Sequence, residues 1–571
     1  MSLQLRAQAK RALRLRQVNT EEDAVSGLLD WARAYRYIKD RESKAVSGFS
    51  LSSYPWLRGV YEKIDELIQS GRPGWRVVLR KGAQIGATEL AINLTFYALD
   101  GRGNVFYALP PGPTTGDFAH ARIDPAISAS PYIRDEMAGH VDNVGLKVFR
   151  GGFNLYIRGT HIPKGDPARA PQLAEAPADV AVMDEYDRIP PPARGLVRDR
   201  LGDSQMAWEL DLSTPTYPDT GIDREYQDST QHEPRITCSE CGTGAWLDWK
   251  LARGPVADDP HARILCPECG AVFEPEGMWS EERARWVARW PERDVVGFWI
   301  SKLASPRADL DELWRDSKSP KEDELQAFYN GSLGLPYEPK GARLTRELIA
   351  ACAQRGYRRF KERARWTAMG VDVGIELHYW IKERMPDSRE RTVAVGSVPE
   401  WGDLGKLMRR YGVQRCVVDD RPALRSDVAF QKRHRGKVWL GMEIDSPDAL
   451  MLRWKEREGR VLIERTKAMA EAAERIENGI DVLPENWESE PEIEEHLTAS
   501  IKTKRVRADG TTVYHYPQSS RPDHLHHAKL FCEAAMAILP PDPARARGPK
   551  EETPAFDRGS AYSVGSYRGQ L

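Results

Sequence analysis

The stretch "VVLRKGAQIGATEL" (Val77–Leu90) decides how the first half of this chain is read. A β-branched run passes into glycines, then Thr88, then a helix-forming segment, which is the outline of a phosphate-binding loop. That motif reads G-x-x-x-x-G-K-[ST], and Ala87 stands where its lysine belongs. Either the segment is an ordinary strand-to-helix turn, or the cation comes from elsewhere. A phosphate cradle needs backbone N–H groups converging at a helix N-terminus, which glycines permit and the helix dipole favours. Gly82 and Gly86 supply the bend, Gln84 lies between them among the expected nucleotide contacts, and Thr88 offers a hydroxyl for Mg²⁺. Lys81, or its rival Arg80, leaves the strand at the other end of the loop and can fold back over the phosphates.

Two later strands support the second possibility. "ADVAVMDEYD" (178–187) is an apolar run ending in adjacent acids, as in a Walker B element, with Asp184 expected on Mg²⁺ and Glu185 on the attacking water. "LDLSTPT" (210–216) ends in Ser213, Thr214 and Thr216, where a γ-phosphate sensor sits, and Thr214 is the expected contact. Three such elements in this order predict an NTPase of the ASCE type on a largely parallel sheet, because the short apolar runs from about residue 75 alternate with helix-length segments.

"TCSECG" and "LCPECG" pair Cys238 with Cys241 and Cys266 with Cys269, 24 residues apart. A glycine after each second cysteine lets backbone N–H groups turn towards thiolates, and four thiolates close a tetrahedral structural Zn²⁺ site. His232 and His261 lie near in sequence but are not needed to complete that shell.

A third group of residues follows. "WTAMGVDVGIELHYWIK" sets Asp372 within a strand, "QRCVVDDRPA" ends an apolar run in Asp419 and Asp420, and "SSRPDHLHHAKLFCEAAM" opens a helix with Asp523, His524, His526 and His527. A strand acid, a strand-end acid and a helix-start acid form the pattern of an RNase H-like nuclease, in which carboxylates hold two Mg²⁺ about 4 Å apart for in-line phosphodiester cleavage. The expected catalytic and metal residues are Asp372, Asp419 and Asp523, with His527 as a further ligand. Histidines suit softer ions, so the cluster implies either Mn²⁺ in place of Mg²⁺ or a general acid–base function.

Length and composition set the bounds. The 571 residues imply several domains, with 41% hydrophobic residues, 29% charged and 17 tryptophans. No apolar run reaches the roughly 20 residues of a membrane span, and no membrane partner is expected. A net charge of −2 argues against a histone-like binder, while "QRGYRRFKERARW" (354–366), "KLMRRYGVQR" (406–415) and "IKTKRVR" (501–507) supply local positive charge. Seven cysteines in so long a chain do not make a secreted disulfide scaffold. The expected division is a helical, basic arm at 1–50 and an ATPase core at 51–235, then a Cys₄ segment at 236–275 and a helical lid or linker at 276–362. A nuclease at 363–540 and a disordered tail rich in Pro, Gly and Arg at 541–571 complete it.

ATPase, Cys₄ segment and nuclease in this order resemble the large terminase subunit of tailed phages, in its lambda-type (GpA) family. The resemblance spans about residues 30–540 and rests on "KGAQIGAT", "VMDEYDRIP", "STPT", "CSECG", "CPECG", "GFWISKLASP" and "FYNGSLGLPY". In that family the loop lysine sits at the strand end, the position of Lys81. The resemblance implies ATP-driven translocation of double-stranded DNA into a procapsid and endonucleolytic cutting of concatemers. It also implies a small terminase partner at the N-terminal region, portal docking near the C-terminal tail and a homo-oligomeric ring with a trans-acting arginine, for which Arg122 and Arg158 are the candidates. The implied location is the host cytoplasm, outside the mature virion. One departure stands out: the family's last nuclease acid falls at His527, with Asp523 one helical turn earlier on the same face. Two other readings compete: an ATP-driven translocase or helicase with a degenerate nuclease-like domain, and a zinc-dependent DNA-binding assembly protein that does not hydrolyse ATP.

Overall fold

The computed structural model describes residues 27–540 apart from 40–42, 113, 163–169, 175, 275–276, 281, 340, 358–365, 421–424, 447, 491, 507–511 and 517–520. Residues 1–26 of the basic arm and the C-terminal tail therefore lie outside the described residues, as does most of the basic stretch 354–366. The chain divides into two compact units between Lys340 and Gly341.

The first unit is built on an 11-stranded sheet. Its strands are β1 (Arg76–Lys81), β2 (Val105–Leu109), β3 (Ala138–Asn143), β4 (Leu146–Phe149), β5 (Asn154–Gly159), β6 (Val180–Asp184), β7 (Trp208–Ser213), β8 (His232–Thr237), β9 (Gly244–Trp246), β10 (Ala284–Ala288) and β11 (Val296–Ile300). They lie in the order 9-8-11-1-7-6-2-5-4-3, with β10 paired to β8. From β11 to β5 every pairing is parallel. The sequence explains why: Val77 and Leu79 of β1 enter one apolar core and Val78 another, so the strand is buried on both faces, as parallel strands flanked by helices are. Helix α1 (Ala87–Leu99) follows the glycine loop and is apolar almost all round, and it is correspondingly buried.

Two expectations need correction. Residues 276–362 are not a helical lid: β10 and β11 fall within them, and β11 inserts beside β1 at the heart of the sheet. "VGFWI" is a short, fully buried run, and periodicity alone does not separate such a strand from a linker. Likewise β8 and β9 carry the cysteine segment as a hairpin of this same sheet, so the sheet extends past the expected core boundary at 235. The N-terminal stretch also includes the paired strands Tyr37–Lys39 and Val46–Gly48, beside the helices Leu28–Tyr35 and Arg58–Gln69.

The second unit holds a nine-stranded mixed sheet. Its strands are β12 (Ala353–Gln354), β13 (Thr367–Val373), β14 (Leu377–Arg384), β15 (Glu390–Val398), β16 (Arg415–Asp419), β17 (Val438–Ile444), β18 (Leu452–Lys455), β19 (Arg460–Glu464) and β20 (Asp481–Pro484), in the order 12-20-15-14-13-16-17-19-18. A late helix, His524–Ala537, packs across β13. Gly370 of β13 allows the close approach: a Cβ there would lie 2.0 Å from the Ala528 carbonyl oxygen and 2.1 Å from the Cys532 nitrogen. Backbone atoms cannot yield as a side-chain tip does. Gly370→Ala should therefore destabilise this unit by roughly 1–3 kcal/mol or more, read as a lower urea midpoint for its unfolding transition.

Candidate functional site

The loop after β1 is shaped by positive φ at Gln84 (60°) and Gly86 (85°), which curls successive amides into a concave nest. Gly86 is doubly constrained, since a Cβ there would also meet the Tyr54 ring at 2.7 Å. Trp56 Nε1 donates to the Ile85 carbonyl at 3.0 Å and holds the loop from outside. At its start, Gly82 N donates to Ile300 O of β11 at 2.7 Å, and Ala83 N to Gly331 O at 2.6 Å. Thr88 is the second residue of α1.

Strand register gathers the other expected residues at this loop. β7 lies between β1 and β6, the extra strand that the ASCE class inserts between loop strand and acid strand. Arg80 pairs with Ser213, so Lys81 and Thr214 come next to each other at adjacent strand ends. Asp184 pairs with Leu212 on the other side of β7. Lys81 is buried, with Nζ 3.5 Å from Glu185 Oε1. Arg80 is committed elsewhere: it pairs with Asp223 at 2.6 Å and lies 4.0 Å over the Tyr226 ring. Lys81 is thus the strand-end cation that faces the acids.

Asp184 accepts the Tyr107 hydroxyl at 2.9 Å and the Glu185 amide at 3.0 Å. Burial pushes its carboxyl pKa up, with Lys81 the main opposing charge. Such a carboxylate is stabilised by a divalent cation, so the donor set of Thr88 and Asp184 fits Mg²⁺. Glu185 is a non-glycine residue at φ 57°, ψ 49°, a left-handed conformation that concentrates at functional positions. Sequence reasoning missed Asp187. It accepts Thr216 N and Oγ1, both at 2.8 Å, and Ile222 N at 2.5 Å, and so ties the acid strand to the "STPT" turn. Burial raises its pKa to about 6. The signal was a third acid in "VMDEYD", two residues beyond Glu185.

Of the two candidate arginines, Arg158 donates to the Gly145 and Ile157 carbonyls. Arg122 is about one-third exposed, 3.8 Å from Glu89.

The four cysteines converge. Cys238 and Cys269 Sγ are 3.7 Å apart, as are Cys241 and Cys266, and all four sulfurs lie within 4.8 Å of one another. Four thiolates at about 2.3 Å from one tetrahedral ion stand about 3.8 Å from each other. Two matching knuckles build the cluster: Gly242 N bonds Cys238 O, Gly270 N bonds Cys266 O, and both glycines have positive φ (72° and 74°). His232 is held by Thr230 and Gly297, and His261 by Asp311, so neither is drawn into the cluster.

In the second unit the acids share one face of the sheet. A Cβ on Gly441 of β17 would meet Phe531 of the late helix, which marks the face that the helix covers. Asp419 pairs with Gly441 and lies on that face, and Glu443 lies two residues further along β17. Asp372, two residues after Gly370, lies on it too, with Oδ2 2.8 Å from His524 Nδ1. Asp420 points from the opposite parity and pairs with Arg460 at 3.4 Å. At the helix start, His527 Nδ1 is 2.6 Å from Glu443 Oε1 and its Nε2 is 3.5 Å from Asp523 Oδ2. The two carboxylates outweigh burial and hold the His527 pKa well above its ordinary value. The same imidazolium keeps the Asp523 carboxyl below its ordinary range, against the pull of burial. Glu443 escaped the sequence reading because it lies within the strand "VWLGMEI" and not in an acid pair at its end.

A nucleotide-type loop and acid pair on a parallel sheet, with a second sheet bearing carboxylates beneath a helix N-terminus, define a P-loop ATPase joined to an RNase H-like nuclease. The family model "Phage terminase large subunit gpA, ATPase domain" matches residues 43–286, and "Terminase large subunit gpA, endonuclease domain" matches residues 295–379, together more than half the chain. The chain belongs to the phage terminase large subunit gpA family, and it is the ATPase and endonuclease subunit of a DNA-packaging motor. Among solved structures, the HK97 bacteriophage large terminase is 10% identical at a TM-score of 0.51, over 90% of this chain and 100% of that one. The large terminase of a thermophilic bacteriophage, in complex with ADP, is 12% identical at a TM-score of 0.30, over 86% of this chain and 98% of that one. No curated protein matches the chain. No described helix is long and apolar enough to cross a membrane.

His526 gives this region a pH signature. It is buried with neither ring nitrogen hydrogen-bonded, and burial depresses its pKa to about 3. A base depressed on folding binds its proton only in the unfolded chain between about pH 6.5 and pH 3, so stability falls as pH drops through that window. His526→Leu should remove this dependence. Between pH 7 and pH 5 the variant should lose about 2 kcal/mol less stability than wild type, measured by urea unfolding at both pH values.

Proposed function

We propose that Lys81 is the phosphate-binding cation of the packaging ATPase and that Asp372, Asp419 and Asp523 are the carboxylates of its nuclease. The observation that carries the first part is the buried ammonium of Lys81, 3.5 Å from Glu185 at the mouth of the loop. In this reading Gly82, Gln84 and Gly86 shape the amide cradle, Thr88 and Asp184 hold Mg²⁺ on ATP, and Thr214 contacts the γ-phosphate. Glu185 orients and deprotonates the attacking water, while Lys81 neutralises charge on the phosphates. Mg²⁺ when bound lowers the charge repulsion between nucleotide and attacking oxygen.

In the nuclease, the shared face of Asp372, Asp419 and Glu443 supports the reading, with Asp523 and His527 closing the site from the helix. Asp523 fills the place of the acid missing at position 527, since the two residues lie one turn apart. The carboxylates would hold Mg²⁺ or Mn²⁺, and His527 is placed to donate a proton to a leaving oxygen. The Cys₄ segment holds Zn²⁺ as a structural ion. Double-stranded DNA is the substrate, the small terminase subunit meets the N-terminal region, and the portal of the procapsid meets the tail. The active motor is a homo-oligomeric ring in the host cytoplasm, with Arg122 the better placed of the two candidates to act across subunits.

An ATP-dependent packaging assay with purified procapsids tests the division of labour. Lys81→Ala should lower ATP hydrolysis by about 100-fold or more and abolish packaging. Asp372→Ala should abolish plasmid linearisation and leave packaging of pre-linearised DNA intact. ATPase activity that survives Lys81→Ala would overturn the loop assignment. Removal of Zn²⁺ by a chelator should lower the unfolding temperature of the first unit by roughly 5–10 °C, read by calorimetry; an unchanged transition would refute the structural ion.

A further inference from the structure

Two histidines beside Asp372 are left unused by the carboxylate scheme. His378 of β14 stands directly opposite Asp372 in the antiparallel ladder, so both side chains leave the same face of the sheet. His524, the first residue of the late helix, reaches the same carboxylate, Nδ1 to Oδ2, at 2.8 Å. One ligand atom from each of Asp372, His378 and His524 lies within 4.8 Å of the other two. His378 Nδ1 is buried with no hydrogen-bond partner, which leaves a ring nitrogen that no protein group satisfies. His496 packs edge-on against both rings, with centroids 5.7 and 5.8 Å away, and its own Nδ1 accepts the Leu525 amide at 3.2 Å. The face thus has an oxygen-rich side at Asp419, Glu443 and Asp523 and a nitrogen-rich side at Asp372.

We infer that Asp372, His378 and His524 form a nitrogen-containing site for a first-row transition metal, so that one ion of this nuclease is of the Mn²⁺, Co²⁺ or Zn²⁺ type rather than Mg²⁺. The inference rests on the nuclease reading of the second unit. Its chemistry is that of the donors: imidazole nitrogen discriminates strongly in favour of transition metals, whereas Mg²⁺ takes oxygen. Asp372 then joins the two sides, offering a carboxylate oxygen to each. The rings of His378 and His524 are stacked, with centroids 4.6 Å apart and planes 13° from parallel. Stacked rings carry parallel lone pairs, so binding one ion requires one ring to turn about its Cβ–Cγ bond. The partial exposure of His524, 43% of its side chain, leaves room for that turn.

The test uses the full chain with its cysteine segment filled by Zn²⁺ and no nucleotide present, titrated with Mn²⁺ and read by pulsed electron paramagnetic resonance. Directly bound imidazole gives ¹⁴N couplings that neither thiolate nor carboxylate produces. Wild type should show two such nitrogens. His378→Gln and His524→Gln should each show one, with Mn²⁺ bound at least about tenfold more weakly, while Asp419→Asn should keep both. Circular dichroism and the melting temperature of each variant separate loss of a ligand from loss of fold. Absence of imidazole coupling in wild type, or couplings unchanged in both histidine variants, overturns the inference. Plasmid cutting separates the two readings. DNA cut in Mn²⁺ by a protein without nitrogen couplings keeps the nuclease and discards this site, and couplings without cutting keep the site and discard the nuclease.

Discussion

A lysine ammonium withdrawn from water must find negative charge, and the first unit is arranged around that demand. Lys81 is the last residue of β1, and its neighbours in register are the "STPT" turn after β7 and, one strand further, the acids of β6. Only a parallel sheet brings the carboxyl ends of three strands to one edge in this way. At that edge the glycine loop meets one cation and two anions, the buried Lys81 and Asp184 and the left-handed Glu185. Ala87 is then free to be small: it is buried at the start of α1, where a lysine would have to be extracted through packed side chains.

The second unit solves a related problem with a different sheet. There the charges lie across one face, and the late helix is the lid that brings its own Asp523 and His527 down to them. Gly370 sets how close that helix comes, and through it the reach of every residue in the first helical turn.

What the sequence alone marks is local grammar: the glycine bend after β1, the apolar run ending in Asp184 and Glu185, the spacing of the four cysteines, and the acids at 372, 419 and 523 on strand or helix ends. What stayed hidden lacks such marks. Glu443 is a lone acid in a strand, and its relevance comes from pairing with β16. His378 stands beside Asp372 only because β13 and β14 form a hairpin of that register. Asp187 acts through backbone amides twenty-nine and more residues away. The helical reading of 276–362 failed at β11 because a five-residue buried strand has no amphipathic period to betray it. The endonuclease family match ends at residue 379, just past Asp372 and His378, so the later acids are tied to the site by strand register and helix placement. At 10% identity to the HK97 large terminase, the fold persists through its alternation of buried strands and helices, with few residues held in common.

The path of the chain around β11 has a mechanical consequence. Between Thr237 and Val296 the polypeptide turns through the cysteine knuckles, adds β9 and β10 at the edge of the sheet and returns as the strand whose Ile300 carbonyl anchors Gly82. A long excursion has to be gathered up before its far end can pair, and the entropy of gathering it is lowered when its middle is already cross-linked. An ion held by the four sulfurs, remote in sequence from the loop, would cross-link that excursion and so shorten the effective tether on the strand against which the loop is braced.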